Sequence, residues 1–435
     1  MDLTEYSNSM QNFKKSLLIS SLVIFSFFAQ AQSISTYSPY SRYGVGQIPT
    51  HGFAAAKAMG GVSQAVRNPY GINYLNPASY TSQDSMSFIL DFGFETGGTK
   101  YQSQGQSATS GFGGMHHLAI SFPVTKWWGS SIGIAPYSQV GYQIKQYEKD
   151  PTILATIGRV KYYHFGDGGI NQAYFGNAFK IIKNLSVGIN ISYFFGSLNY
   201  TNKVEFPTTS TKYYNTSEKN SIVVSDVALR FGVQYTKYLN NDKSTFLIFG
   251  ASLDNETKIR AKRKYYAKWY YGTYSDTIAY KDSSYGNLTF PKNISIGVSY
   301  SYKNKLFTSI EYSNQNWENA SFFGSKQPLI NSNTYRFGVE YTPNRGDLKS
   351  YLMRINYRFG MHHTSSYMEF NNHKINEFGL SVGLGFPFRN NTRFNVSYEY
   401  LKRGTTNDGL IKETSGIVNL SLTFYDFWFI KRKFN

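Results

Sequence analysis

From Ser85 to the end of the chain, apolar residues recur at every second position in run after run, and nothing else in the sequence restricts the possible folds so much. Leu185, Val187, Ile189, Ile191 and Tyr193 interleave with Ser186, Gly188, Asn190 and Ser192. The pattern returns at Phe337, Val339 and Tyr341 against Arg336, Gly338 and Glu340, and at Met353, Ile355, Tyr357 and Phe359 against Arg354, Asn356 and Arg358. It closes with Phe378 to Leu384, Phe394 to Tyr400 and Val418 to Phe424. A period of two gives each strand one apolar and one polar face. The predicted strands are 85–95, 116–124, 128–149, 169–182, 185–200, 225–238, 244–268, 288–302, 305–315, 333–342, 350–360, 376–386, 392–402 and 415–425.

The links between these strands alternate in kind. Those after even-numbered strands are brief and turn-like, as at Lys183-Asn184, Asn240-Asn241-Asp242, Lys303-Asn304, Pro343-Asn344-Arg345-Gly346 and Arg389-Asn390-Asn391. Links after odd-numbered strands are longer, as at 96–115, 150–168, 201–224 and 316–332. Short turns at one end and long loops at the other mark a membrane barrel, and a soluble double sheet has no reason to keep that order. The expected fold is all-β: a transmembrane antiparallel β-barrel of about 14 strands with an N-terminal plug.

Composition agrees. Tyr 38 and Phe 34 spread the apolar surface over aromatic side chains, mean hydropathy is −0.39, and no run after the leader is long enough to span a bilayer as a helix. The formal charge of +18 suits anionic lipid headgroups and lipopolysaccharide better than nucleic acid, because a leader precedes the strands. Lys14-Lys15, the apolar run Ser16 to Phe28 and Ala29-Gln30-Ala31 form that leader, with cleavage expected after Ala31. Met10 is an alternative start. Without cysteine there is no disulfide framework, thiolate zinc site or lipidated Cys.

Between leader and strands lies Gly44 to Tyr80, dense in small residues: Gly44-Val45-Gly46, Ala54 to Gly61, then Asn76-Pro77-Ala78. Such a stretch cannot build its own core and must pack against something larger. The segment resembles the N-terminal hatch of the FadL-type outer-membrane transporters, on Gly44, Gly46, Gly60, Gly61, Asn76, Pro77 and Ala78. The resemblance implies residues 1–31 as signal peptide, 32–84 as plug, 85–425 as barrel and 426–435 as a short basic periplasmic tail. It further implies a Gram-negative outer-membrane location, a monomer, no cofactor, no enzymatic activity, and passive passage of small hydrophobic or amphiphilic molecules. A barrel that transports nothing and docks secreted or surface proteins is the alternative.

Two candidate sites follow. Pro136 interrupts the lipid-facing row Ile132, Ile134 and should bend the third strand; in the resembling family a kink there opens a lateral gap. The alternative is a bulge that only adjusts curvature. Counting by two from Leu247 places Lys258, Arg260, Lys262 and Lys264 on the lumen face, opposite Phe249, Ala251, Leu253, Ile259 and Ala261, with Asp254 and Glu256 as partial counterweights. A single bulge would instead turn the four outward, toward lipid headgroups.

Lumen charges such as Arg336, Glu340, Arg354, Arg358, Arg393 and Glu399 are expected to pair across strands. Gly379-Leu380-Ser381-Val382-Gly383 matches a hydrolase-elbow pattern, but it lies inside an alternating strand. His116-His117 and His362-His363 make poor metal sites, since strand neighbours point to opposite faces.

Overall fold

The computed structural model describes residues 38–207, 213–370, 372–388 and 391–428. The leader expected at 1–31 and most of the expected tail lie outside these residues, as do Arg389 and Asn390 of one expected turn. The strands are β1 Ser87–Ser103, β2 Gln106–Pro123, β3 Trp128–Tyr147, β4 Lys161–Ile182, β5 Leu185–Glu205, β6 Asn215–Tyr238, β7 Phe246–Asp254, β8 Thr257–Tyr271 and β9 Tyr274–Phe290. They continue as β10 Asn293–Tyr302, β11 Leu306–Gln315, β12 Ser321–Phe322, β13 Ser325–Lys326, β14 Ser332–Tyr341, β15 Asn356–Phe370, β16 His373–Pro387, β17 Arg393–Arg403 and β18 Lys412–Phe427.

The wall runs β1 to β7, then β10, β11 and β14 to β18, and closes where β18 pairs with β1 from Ser87 with Phe427 to Gln102 with Lys412. Every neighbouring pair is antiparallel, and this wall is a closed barrel of 14 strands. β8 and β9 form a hairpin that prolongs β7 and β10 beyond the wall, and β12 and β13 are a small hairpin beside it. Along its paired length closure leaves no backbone edge exposed to lipid, the condition for a sheet to cross a membrane.

The alternation sorts the two faces inside out. Ile132, Ile296 and Ile310 are 51%, 53% and 66% exposed, while Ser131, Ser295 and Ser309 beside them are at most 3% exposed. Apolar side chains therefore face outward and small polar ones face the interior, the inverse of a soluble protein.

Two expectations about the strands need correction. Two of the long loops, 96–115 and 201–224, are mostly strand: β1 and β2 meet at a tight turn over Gln104-Gly105, and β4, β5 and β6 extend beyond their predicted bounds. These extensions are rich in Ser, Thr, Gly and Asn, so the apolar count that located the strands fades while backbone pairing continues.

The second correction concerns Lys258, Arg260, Lys262 and Lys264. The strand breaks at Asn255-Glu256 between β7 and β8, and the faces exchange across the break. Phe249 points out from β7, but Ile259 and Ala261 of β8 are buried among Trp317, Tyr40, Val45 and Phe290. The four cations consequently line the outer face, with Arg260 paired to Asp226 at 3.2 Å. The reason is a change of solvent: outside an apolar membrane the aliphatic side chains turn to the interior cluster and the charges to water. Asp254 pairs with Arg230 in the lumen, so it does not balance the stripe.

Candidate functional site in the barrel lumen

A barrel this wide needs something to fill it, and the strands make room for a second segment of the chain. Inward-facing glycines recur near one level of the wall: Gly188 on β5, Gly232 on β6, Gly250 on β7, Gly297 on β10, Gly338 on β14, Gly360 on β15 and Gly383 on β16. A Cβ at Gly188 would fall 2.5 Å from the Pro77 backbone, at Gly338 2.5 Å from the Met59 carbonyl oxygen, and at Gly383 2.6 Å from Ala58 Cβ. The wall is bare of side chains where the segment from Ala58 to Pro77 leans on it. Gly188, Gly338 and Gly383 stand on the polar side of the sequence alternation, where they read as merely non-apolar. Their recurrence as Val-Gly-Ile, Phe-Gly-Val and Val-Gly-Leu was the available signal.

Gly44, Gly46, Gly60, Gly61, Asn76, Pro77 and Ala78, singled out by sequence as plug residues, all lie in this interior segment. Gly46 and Gly60 show why glycine is needed there. Gly46 has φ +91°, its carbonyl accepts from the Tyr367 hydroxyl, and a Cβ would fall 2.5 Å from the Gln139 carbonyl oxygen. Gly60 has φ +67°, donates its N–H to Ser381 Oγ at 3.0 Å, and a Cβ would fall 2.5 Å from the Met361 carbonyl oxygen. Left-handed backbone pressed on a neighbouring strand admits no side chain. Gly44 lies against the Tyr367 ring and Gly61 beside Arg336. Ser381 is thus a strand residue holding the segment, with no elbow around it.

Asn76 caps the short 3-10 helix Pro77–Ser82 by accepting from Ala78 N at 3.2 Å. Its Nδ2 donates to the carbonyls of Gln64 at 2.8 Å and of Val233 and Ala251, each at 3.2 Å. One side chain therefore ties the segment to β6 and β7. Pro77 sits against Gly188 and Gly232, and Ala78 is fully buried.

Around this segment the lumen charges are paired. Arg230 meets Asp254 at 2.5 Å, Arg336 meets Glu311 at 2.9 Å, Arg358 meets Glu340 at 2.8 Å, and Arg403 meets Glu413 at 3.2 Å and also Glu377. Glu311 also accepts from the backbone N–H of Ser63 at 2.7 Å and of Gln64 at 2.9 Å. Lys57, buried in the segment, pairs with Glu95 of β1 and donates to Asn419 at 3.2 Å. Glu399 accepts from Thr50 at 3.0 Å. Each of these charges is held by a partner, as low dielectric demands, but Arg393, also expected to pair across strands, is buried and makes no ion pair among the described residues. Arg354 departs from the expected lumen row: it lies in the 3-10 turn Tyr351–Arg354, stacked over Tyr351.

His117 is likewise a lumen group, 2.8 Å from Asp91 and stacked on Phe53 at 3.6 Å. His116 is a bulged residue opposite Gly93 and Phe94, so its Nδ1 comes within 3.0 Å of His117 Nδ1, and the opposite-face expectation fails for this pair. It holds for His362, buried near Glu377, and exposed His363.

The wall is uneven at one place. β3 pairs with β4 over its whole length, from Trp128 with Phe179 to Tyr147 with Lys161, with a bulge between Pro136 and Ser138. Its ladder to β2 runs only from Pro123 with Gly129 to Leu118 with Ile134. Immediately above, β2 bulges at His116 and β3 at Tyr137, and the two strands part. The freed edge of β3 is taken by the interior segment: Gln47 and Gln139 exchange backbone hydrogen bonds at 2.8 and 2.9 Å, and Ser38 N–H reaches the Gly141 carbonyl at 2.7 Å. Tyr137 itself packs inside, 4.9 Å from Phe290 and 5.0 Å from Phe194.

Little free volume remains. One cavity of about 60 Å³ is bordered by His51, Tyr137, Arg230 and Asp254, and a second of about 70 Å³ by His51, Thr334, His362 and Arg403. A larger cavity of about 410 Å³ lies between the segment and the ends of β7, β10, β11, β14 and β17 at the short-turn rim.

This architecture is that of the FadL-type transporters. The chain superposes on the Ralstonia pickettii toluene transporter TbuX with a TM-score of 0.56 at 13% identity, over 86% of this chain and 98% of that one. For a Pseudomonas aeruginosa FadL homologue the values are 0.55 and 12%, over 87% and 99%. For the Pseudomonas putida toluene transporter TodX they are 0.55 and 14%, over 88% and 99%. At such identities the likeness concerns the fold. No curated protein matches the sequence. The family model described as BamG matches residues 13–435, nearly the whole sequence, and the chain belongs to that family.

Proposed function

We propose that the protein is a passive outer-membrane channel of FadL architecture for small hydrophobic or amphiphilic molecules, held closed by its own N-terminal segment. The parting of β2 from β3 above Leu118 and Ile134 carries this reading, because it offers a place for a lateral exit whose inner side, among the described residues, is lined by Ser38 to Gln47. Pro136 sits at the foot of the parting and has no N–H to donate. Withdrawal of Gln47 from Gln139 would connect the lumen around Tyr137 with the lipid. In this reading residues 32–84 are plug and gate, the leader delivers a monomer to a Gram-negative outer membrane, and no cofactor takes part. Proteoliposomes tested for toluene influx provide the check. Deleting residues 44–72 should raise influx in a barrel that remains heat-modifiable, and Pro136→Val should lower it.

The second reading is a docking barrel that conducts nothing; the lumen cavities of about 60 and 70 Å³, each too small for an aromatic ring, are compatible with it but equally with a channel held closed by its own segment. Equal toluene influx with and without the full-length protein, and equal again after the deletion, would establish it.

A further inference from the structure

The positive field that counting by two assigned to β8 has a different counterpart inside the barrel. The cavity of about 410 Å³ at the short-turn rim is bordered by Arg67, Arg345, Arg358 and Arg393. Its carboxylates are already engaged. Glu340 is shared by Arg358 at 2.8 Å and Arg345 at 3.4 Å, and Asp91 is held by His117 at 2.8 Å and by Thr423, which donates to it at 2.7 Å.

Arg393 and Arg67 make no ion pair among the described residues. Arg393 is only 6% exposed, its Nε has no hydrogen-bond partner among those residues, and its guanidinium rests 5.1 Å from the Tyr70 ring. Arg67 donates to neutral oxygens only: the Ala78 carbonyl at 3.3 Å, Gln234 Oε1 at 3.1 Å and Thr81 Oγ1 at 2.8 Å. A buried guanidinium without an anion is costly, and its fork of donors suits a carboxylate or phosphate in two-point contact.

Apolar side chains share the rest of the cavity lining with Asn68, Asn73 and Asn395. Phe53, Met59, Ile72 and Phe307 border it, and Lys305 and Arg345 at its mouth are exposed. The geometry points to a binding site for a small amphiphilic anion, with its carboxylate or phosphate head on Arg393 and its chain against Phe53 and Ile72. The site opens at the short-turn rim and needs no passage through the lumen, so it stands whether or not the barrel conducts.

The test uses the full-length protein in a nonionic detergent and calorimetric titration with decanoate, decyl phosphate, decanol and inorganic phosphate. Both amphiphilic anions should bind, decanol and inorganic phosphate each roughly tenfold or more weakly, and Arg393→Gln should weaken both anions by a similar factor while leaving decanol unchanged. Phosphate-head and carboxylate-head sources are separated by which anion binds more tightly. If Arg393→Gln fails to fold by heat modifiability, Arg67→Gln and Tyr70→Ala serve in its place, with weaker anion binding expected from each. Equal affinity for decanoate and decanol, or undiminished anion binding in a folded variant, would overturn the site. Inorganic phosphate binding as tightly as decyl phosphate would overturn the amphiphile.

Discussion

The glycine wall gives a sharp test of how segment and barrel are coupled. Gly338 has ordinary extended backbone, so alanine there costs nothing in φ. Its Cβ would nevertheless fall 2.5 Å from the Met59 carbonyl oxygen, 2.7 Å from Met59 Cβ and 2.9 Å from Val62 Cγ2. Ordinary contact begins at 3.4 Å, so the backbone at Met59 must retreat by about 1 Å, and a carbonyl cannot rotate away as a side chain can. Overpacking of this kind costs about 1–3 kcal/mol. Gly338→Ala should therefore lower the urea-unfolding free energy of the refolded barrel by that amount in the full-length chain. In a chain lacking residues 44–72 the same change should cost under about 0.5 kcal/mol, so the coupling nearly equals the whole effect. Gly114→Ala, where a Cβ would meet nothing within 4 Å, is the control. In the full-length protein Gly338→Ala should also speed tryptic cleavage at Lys57 and Arg67. An equal cost in both backgrounds, with unchanged cleavage, would refute the fit between segment and wall.

Lys57→Met strands Glu95 in the interior and should cost about 3–5 kcal/mol, with much of the loss recovered in Lys57→Met/Glu95→Gln, as measured by urea unfolding. Replacing Lys258, Lys262 and Lys264 by Gln should leave stability within about 0.5 kcal/mol and weaken lipopolysaccharide binding, the more so at low salt. No change in binding at low salt would leave the outward stripe without a lipid role. His51, enclosed between Arg230 and Arg336, is pushed down to about 3, chiefly by burial and then by these two cations. Because its folded value lies below its ordinary value of 6.5, the unfolded chain binds more protons in the window from about 3 to 6.5, and stability falls as pH drops through it. The loss reaches at most about 2 kcal/mol at pH 5, lessened by the water its two cavities admit. His51→Asn should flatten that slope in unfolding curves between pH 7 and 5.

The alternation of apolar and small polar residues was enough to locate the membrane-level wall strands, an inside-out barrel and the short-turn rim, because a strand's period of two is local and lipid on one side enforces it. The density of glycine in Gly44 to Tyr80 likewise marked a segment that must lie against something else. What it lies against was decided by tertiary structure alone. The matching glycines of the wall, from Gly188 to Gly383, are separated by up to half the chain and meet only when the sheet closes. The same holds for Glu311, which receives Ser63 and Gln64, and for the parting of β2 and β3, which needs bulges at His116 and Tyr137 on two different strands. Lys258 to Lys264 show the limit most plainly. Periodicity fixes which residues share a face, but it cannot say which face looks outward once a break of two residues intervenes, and that choice was made by the interior cluster around Trp317 that drew Ile259 and Ala261 inward.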